Sequence, residues 1–444
     1  ELKKTETIDV MDAVGSNIRV DTYGWEVKRI LPRINEDINE EWISDKTRYS
    51  CDGLKNQRLD SPFARDGDKF IKISWDEAYK ILKDKLEKIN PDKTGCFAGD
   101  LTNMETTFAA KDLFNKVLKS NLIDSRPDNY YVNFSEKQNY RFNSSILGIE
   151  EADLILMIGC NPRYEATILN SRIRKSYLKS KLPIYSTNNI GDQTYSYKLL
   201  NDSTNTIKDI IEGKNELSEK LINSAKPIII IGQSVLKLKS GKYIFEELKN
   251  YLIKNKKIDN EWNSLNVLSK DASTVGSYDL TFFSSNNGRN LLLEKLNSNS
   301  IDLLFLIGQD KVKINRNGIF VVYIGSHGDE GAKNSDLILP GSAFTEQDGY
   351  YTNLEGKIQK AYKASYPTEL AKEDWQIINE IANIARGKYL YKDKDELIDS
   401  MFNYLKQNRK EEFIKTEHNF ENEKIIIEDI DYYFSNVIAK NSKT

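Results

Sequence analysis

Five short apolar runs in this chain end in glycine: Leu154–Gly159, Ile228–Gly232, Leu303–Gly308, Phe320–Gly325 and Leu337–Gly341. None alternates polar with apolar residues. Strands read this way are covered on both faces, so the runs predict parallel strands sandwiched by helices. The stretches between them are long enough for helical crossovers, which gives a doubly wound α/β architecture with right-handed connections. Residues 153–159 (Asp-Leu-Ile-Leu-Met-Ile-Gly) and 302–308 (Asp-Leu-Leu-Phe-Leu-Ile-Gly) are alike, which predicts two similar sheets in separate domains.

Helical periodicity fills the gaps. Ser74-Trp-Asp-Glu77 has the spacing of a capping box, and Trp75, Ala78, Leu82, Leu86 and Ile89 repeat along one helix face until Pro91. Phe108, Ala109, Leu113, Val117 and Leu118 form a second stripe, and Phe245, Leu248 and Leu252 a third. A fourth, Trp375, Ile378, Ala382 and Ala385, follows Asp374 as its N-cap and stops at Gly387. Near the start, Asn17 to Leu31 alternates like a hairpin around Tyr23-Gly24. The expected division is a β-rich lobe over 1–72, an α/β domain over 73–215, a second α/β domain over 216–365, and a helical, charged tail over 366–444.

Composition narrows the function. At 444 residues the chain exceeds one comfortable core. Lys+Arg 64 against Asp+Glu 67 leaves a net charge of -3, which argues against a polybasic surface for nucleic acid or anionic lipid. No apolar run reaches the roughly 18 residues that cross a bilayer. Cys51, Cys96 and Cys160 stand far apart, so no C-x-x-C pair seeds a metal site, and a reducing compartment is expected. Two histidines, His327 and His418, are too few for a multi-histidine centre. The chain opens on Glu1 without a basic-then-apolar leader and reads as the continuation of something longer.

The strand-ending glycines invite a nucleotide reading, but no G-x-G-x-x-G follows any strand. Ser240-Gly241-Lys242 lacks the earlier glycine and the following Ser or Thr of a phosphate loop. The turn Gly159-Cys-Asn-Pro-Arg163 lies where open α/β sheets dock ligands. Cys160 is there either a thiol ligand or, more ordinarily, a small buried hydrophobe. His327, beside Asp329 and Glu330, is either a general base or a hydrogen-bonded loop histidine, and no nucleophile or metal partner stands at informative spacing. The acidic set Glu36, Asp37, Glu40 and Glu41 reads as a solvated face or turn.

Longer segments carry a resemblance. Thr5–Ile18, Arg29–Arg33, Glu36–Arg48 and Asp52–Leu59 closely resemble the large iron–sulfur subunit of respiratory complex I, in its mitochondrial and alphaproteobacterial form. Gly148–Asp153, Asn161–Arg163, Arg172–Ser176, Asp336–Pro340, Thr352–Gly356 and Glu373–Trp375 keep the resemblance in order, to about residue 385. It implies a molybdopterin oxidoreductase-like fold, visible also in Ile73–Ala78, in Gly159–Pro162 and in Glu346 through Asn353, Glu355 and Gly356. It further implies that [2Fe–2S] and [4Fe–4S] clusters are held by domains upstream of this segment.

Against the pattern of the molybdopterin enzymes, Asp9, Asp12, Ser16 and Ser44 stand where four cluster-binding cysteines would be. Two carboxylates and two hydroxyls are hard ligands, mismatched to a cluster built on soft thiolates. Where those enzymes place Asp-Pro-Arg after the second strand, this chain has Tyr185-Ser-Thr-Asn188. Between Asn121 and Ser145 the one residue left open as a metal ligand is Ser135. No catalytic, cofactor-binding or metal residue is therefore expected here. The implied function is a non-catalytic domain supporting NADH-to-quinone electron transfer. Its partners are the other peripheral-arm subunits, including the NADH/FMN-binding subunit. Its place is the cytoplasmic face of a bacterial inner membrane or the matrix face of a mitochondrial one. The alternatives are a live molybdenum or tungsten pterin oxidoreductase, such as a formate dehydrogenase relative, and a free-standing adaptor.

Overall fold

The computed structural model describes residues 1–407 and 417–444. Strands β1 (Lys3–Ile8), β2 (Asn17–Tyr23) and β3 (Glu26–Pro32) form an antiparallel sheet in that order. The expected hairpin is β2–β3, which pairs Tyr23 with Glu26 across Gly24; φ there is +62°, a conformation that favours glycine. β4 (Phe63–Asp66) and β5 (Lys69–Lys72) then leave the lobe and join a seven-stranded sheet with β6 (Thr94–Ala98) and β7 (Ile123–Asp124).

The chain next builds a five-stranded sheet from β8 (Leu154–Ile158), β9 (Ile184–Ser186), β10 (Lys198–Leu199), β11 (Pro227–Gly232) and β12 (Leu265–Leu268). Every pair in it is parallel, in the order β10-β9-β8-β11-β12. After a small hairpin, β13 (Ser285–Asn286) and β14 (Arg289–Asn290), the chain returns to the seven-stranded sheet with β15 (Leu303–Ile307), β16 (Phe320–Gly325) and β17 (Leu337–Pro340). The order there is β5-β4-β17-β16-β15-β6-β7, parallel except at the β4–β5 edge. A last hairpin is β18 (Gly349–Thr352) with β19 (Ile358–Ala361).

The division expected at 215/216 does not coincide with a sheet boundary. It separates β8 from β11, which are paired from Leu154↔Pro227 to Ile158↔Ile231. β6, placed by that division with β8, instead pairs with β15, from Thr94↔Leu303 to Ala98↔Ile307. Parallel neighbours are joined by long crossovers, so proximity in sequence is a poor guide to membership of a sheet. The two similar segments 153–159 and 302–308 do supply strands of different sheets.

The absence of alternation has the physical consequence expected of it. Leu154, Leu156, Ile158, Ile229 and Ile231 pack into one core, while Ile155, Met157, Ile228 and Ile230 pack into another on the opposite face. Phe305 and Val322 are divided from Leu304 and Val321 in the same way across the larger sheet.

The helix Trp75–Leu86 carries its capping box, with Ser74 Oγ accepting from the Glu77 N–H at 3.2 Å and Glu77 accepting from the Ser74 N–H at 2.7 Å. Met104–Asp112 continues through a π-helical turn, Leu113–Leu118, and Gly241–Lys254 buries Phe245, Leu248 and Leu252. In the helix Asp374–Arg386 the cap is Glu373, one residue earlier than expected; the buried Asp374 carboxylate accepts from the Ser342 N–H at 3.1 Å instead.

The tail over 366–444 packs back on the body. Leu397 and Met401 of the helix Lys394–Lys406 enter the core around the larger sheet, and Tyr391 Oη donates to Asp112 at 2.7 Å. Residues 408–416, part of the expected tail, lie outside the described residues.

Candidate functional site: the degenerate ligand loop and the carboxyl-edge crevice

The loop between β1 and β2 holds Asp9, Asp12 and Ser16, and Ser44 begins the short helix Asp45–Tyr49. All four are buried. Asp9 Oδ1 accepts from the Met11 N–H at 3.0 Å and Asp9 Oδ2 from Thr47 Oγ1 at 2.7 Å. Asp12 Oδ1 accepts from the Val14 N–H at 2.9 Å. Ser44 Oγ caps its helix by accepting from the Thr47 N–H, and the Ser16 carbonyl accepts from the Asp9 N–H. These oxygens serve turns and a cap. Carboxylate and hydroxyl oxygens are hard donors, and this set does not fit an iron–sulfur cluster built on soft thiolates.

Burial, together with the charge of Asp12, pushes the Asp9 carboxyl up to about 7, against its hydrogen bonds and the pull of Lys46. Asp12 is raised by burial as well, with Lys46 opposing. The loop is thus arranged to keep a proton among its carboxylates at acidic pH.

Beyond the loop a cavity of about 350 Å³ opens where the carboxyl ends of both large sheets face the lobe. Asp12 and Lys46 line it from the lobe, Glu165 after β8, Gln233 after β11, Lys270 after β12 and Lys311 after β15. Lys311 is held at 3.0 Å from both Asp100 and Asp271. This is the position at which open α/β sheets take ligands. Here the C-terminal segment crosses it. Asn188, in the loop after β9, donates its side-chain amide to the Ile425 carbonyl at 2.8 Å. Ile425 is fully buried against the β8–β11 core. A charged pterin dinucleotide does not fit an edge already bonded to its own chain.

Cys160 is fully buried, its Sγ 3.8 Å from the Ile230 carbonyl, and burial raises its thiol well above the usual range. His327 is buried with Nδ1 at 2.8 Å from Ser326 Oγ and Nε2 at 2.9 Å from the Gly53 carbonyl; burial, then Arg58, lowers it to about 4. Ser135 bonds Asn133 and Asn139 and lines a different cavity. Of the acidic set, Glu36, Asp37 and Glu41 are exposed and Glu40 pairs with Lys175, while Arg172 donates to the backbone carbonyls of Glu36 and Ile38.

The segments shared with pterin enzymes act as joints. Arg58 forks onto Glu346 at 2.5 and 2.6 Å, both side chains buried. Asn353 donates to the Val14 carbonyl at 3.0 Å, and Glu355 accepts from the Ile146 N–H at 2.8 Å. The role of the C-terminal segment is the feature that sequence reading missed. The one signal for it was the apolar triplet Ile425-Ile-Ile427 set among charges.

The molybdopterin oxidoreductase family profile matches residues 58–384, and the chain belongs to that family. The profile of an NADH-ubiquinone oxidoreductase NDSU1/NuoG-like 4Fe-4S domain matches residues 2–52, the lobe with the oxygen-bearing loop. Among curated relatives, the chain is 43% identical to the mitochondrial NADH-ubiquinone oxidoreductase 78 kDa subunit of Candida albicans, over 88% of this chain and 54% of that protein. It is 38% identical to an NADH-quinone oxidoreductase subunit of Rickettsia bellii, over 100% of this chain and 65% of that protein. To the NADH-ubiquinone oxidoreductase 75 kDa subunit of Reclinomonas americana it is 39% identical, over 88% and 58%. The chain therefore spans between about half and two thirds of the length of these relatives.

Proposed function

We propose that this chain is a non-catalytic framework within the large iron–sulfur subunit of an NADH:quinone oxidoreductase. The clusters that carry electrons lie outside this segment, and the framework holds their domains against neighbouring peripheral-arm subunits, among them the NADH/FMN-binding one. The protein supplies position and dielectric while cofactors carry the electrons. The observation that carries the reading is the oxygen donor set at Asp9, Asp12, Ser16 and Ser44, in which Asp9, Asp12 and Ser44 already accept hydrogen bonds from neighbouring backbone and side chains. The names of the relatives support the complex.

The place that follows is the cytoplasmic face of a bacterial inner membrane or the matrix face of a mitochondrial one. Among the described residues no helix is long and apolar enough to cross a membrane, so attachment through other subunits is proposed. Elemental analysis of the purified chain tests the reading. Iron, molybdenum and tungsten are expected far below one equivalent, and a stoichiometric amount of any of them overturns it.

A further inference from the structure

β1 is an edge strand, pairing with β2 alone. The Asp9 N–H donates to the Ser16 carbonyl at 2.9 Å, which fixes the phase of the ladder. Inward and outward groups alternate along an antiparallel strand, so the N–H and C=O groups of Lys4 and Glu6 point away from β2. Such an edge is a template for a further strand.

A groove of about 500 Å³ runs along this edge. Lys3, Lys4, Thr5 and Glu6 form one wall, and Tyr362 and Tyr366, in the stretch after β19, form the other. The far wall is fixed by its own backbone. The Lys363 N–H donates to the Asp348 carboxylate at 2.8 Å, and the N–H groups of Ala364 and Ser365 donate to the Thr345 carbonyl, each at 2.9 Å.

Two features of the groove are left incomplete by the chain itself. Thr5 is only 9% exposed, yet its hydroxyl has no hydrogen-bond partner. A buried polar group in that state carries a desolvation cost that a partner would offset. Lys3 and Lys4 are exposed and form no ion pair among the described residues. Lys360 and Lys363 add positive charge on the opposite side, over the rings of Tyr362 and Tyr366 at 4.9 and 5.0 Å. The acids nearby are already engaged, Glu6 facing Arg33 at 3.6 Å and Asp348 accepting from the Lys363 N–H.

We propose that β1 takes up an extended, carboxylate-bearing segment of a partner protein as a fourth strand of the lobe sheet. Its main chain bonds to Lys4 and Glu6, its carboxylates meet Lys3 and Lys4, and a threonine or serine opposite Thr5 satisfies the orphaned hydroxyl. Lysines on an edge ordinarily ward off other strands. Here they also set the charge that the incoming strand must carry. This inference is independent of the framework proposal, which metal content tests.

Titration of the full chain with a fluorescent, blocked heptapeptide, Val-Thr-Gln-Thr-Glu-Glu-Val, tests it, with amide exchange as the second readout. The peptide is expected to bind saturably and to slow exchange at Lys4 and Glu6. Replacing its glutamates by lysines should weaken binding about tenfold or more. Glu6→Pro removes an outward N–H at a position where an edge strand tolerates proline, and should abolish binding while leaving the melting temperature nearly unchanged. If that variant folds poorly, Lys3→Glu/Lys4→Glu carries the test: it should lose the glutamate peptide and gain the lysine one. No saturable binding by the parent chain, or binding that leaves the Lys4 and Glu6 amides unprotected, overturns the proposal. So does a parent chain that sediments as a dimer with those two amides already protected, since a second copy would then be the occupant.

Discussion

Asp9 shows what burying a carboxylate costs a single residue. Its carboxyl holds a proton to about pH 7 in the folded chain, because of burial and of Asp12, and releases it near the ordinary value of 3.8 when unfolded. Between those values the folded chain binds more protons, so this contribution to stability falls as pH rises from about 4 to about 7. Asp9→Asn removes the charge and keeps the acceptor for the Met11 N–H. It is expected to raise stability by about 1–3 kcal/mol at pH 8 and by much less at pH 5. Thermal melts of both proteins at the two pH values check this, and an equal gain at both would show that Asp9 is not the titrating group. His327 acts in the opposite direction. It is lowered from 6.5 to about 4 by burial and Arg58, so the unfolded chain takes up the proton first and stability is lost as pH falls through that window. The oxygen donors of this loop are readable in the residues themselves. The protonation is not, because it depends on burial that residues distant in sequence provide.

Among the elements, the junction of β8 and β11 is the tightest point of the smaller sheet. Gly232 ends β11 with φ −79°, which any residue adopts, yet a Cβ there would lie 2.1 Å from the Gly159 carbonyl oxygen. Gly191 is the contrast, with φ +68° and open space around it. Gly232→Ala is therefore expected to cost about 3 kcal/mol or more, since backbone must move. Gly191→Ala should cost only about 1 kcal/mol, from conformation alone. Urea unfolding of the two variants checks the ranking, and a larger loss at Gly191 would contradict the close approach. Sequence showed that Gly232 ends an apolar run and singled out nothing at Gly191. It could not show which one a neighbouring strand presses against, since β8 and β11 are separated by a long crossover.

For the whole molecule, the features of interest are the joints and the uncovered surface. The buried Arg58–Glu346 fork ties the lobe to the loop after β17, and truncating one partner leaves a buried charge, which costs about 3–5 kcal/mol. The lobe also exposes Tyr23, Trp25, Ile34, Trp42 and Tyr49, with Trp25 at 64% and Trp42 at 57%. Aromatic side chains left in water at this level suit a surface that another protein covers. On the proposed framework role, Trp25→Ser/Trp42→Ser is expected to leave the melting temperature within a few degrees while reducing co-purification with the proposed peripheral-arm partners several-fold. Unchanged recovery of the complex would place the docking surface elsewhere.

Sequence by itself determined the local grammar of this protein: unalternated strands that must be covered on both faces, the capping box at Ser74, the hairpin around Gly24, and hard oxygen donors at Asp9, Asp12, Ser16 and Ser44. These depend on neighbours a few residues away and on the chemistry of single side chains. Tertiary structure alone decided that β6 returns to β15 rather than to β8. It also decided that Glu346 and Asn353 serve as joints, and that a charged tail with three isoleucines seals the edge where a ligand would sit. Those outcomes turn on contacts between segments hundreds of residues apart, whose pairing is selected by packing the whole chain at once.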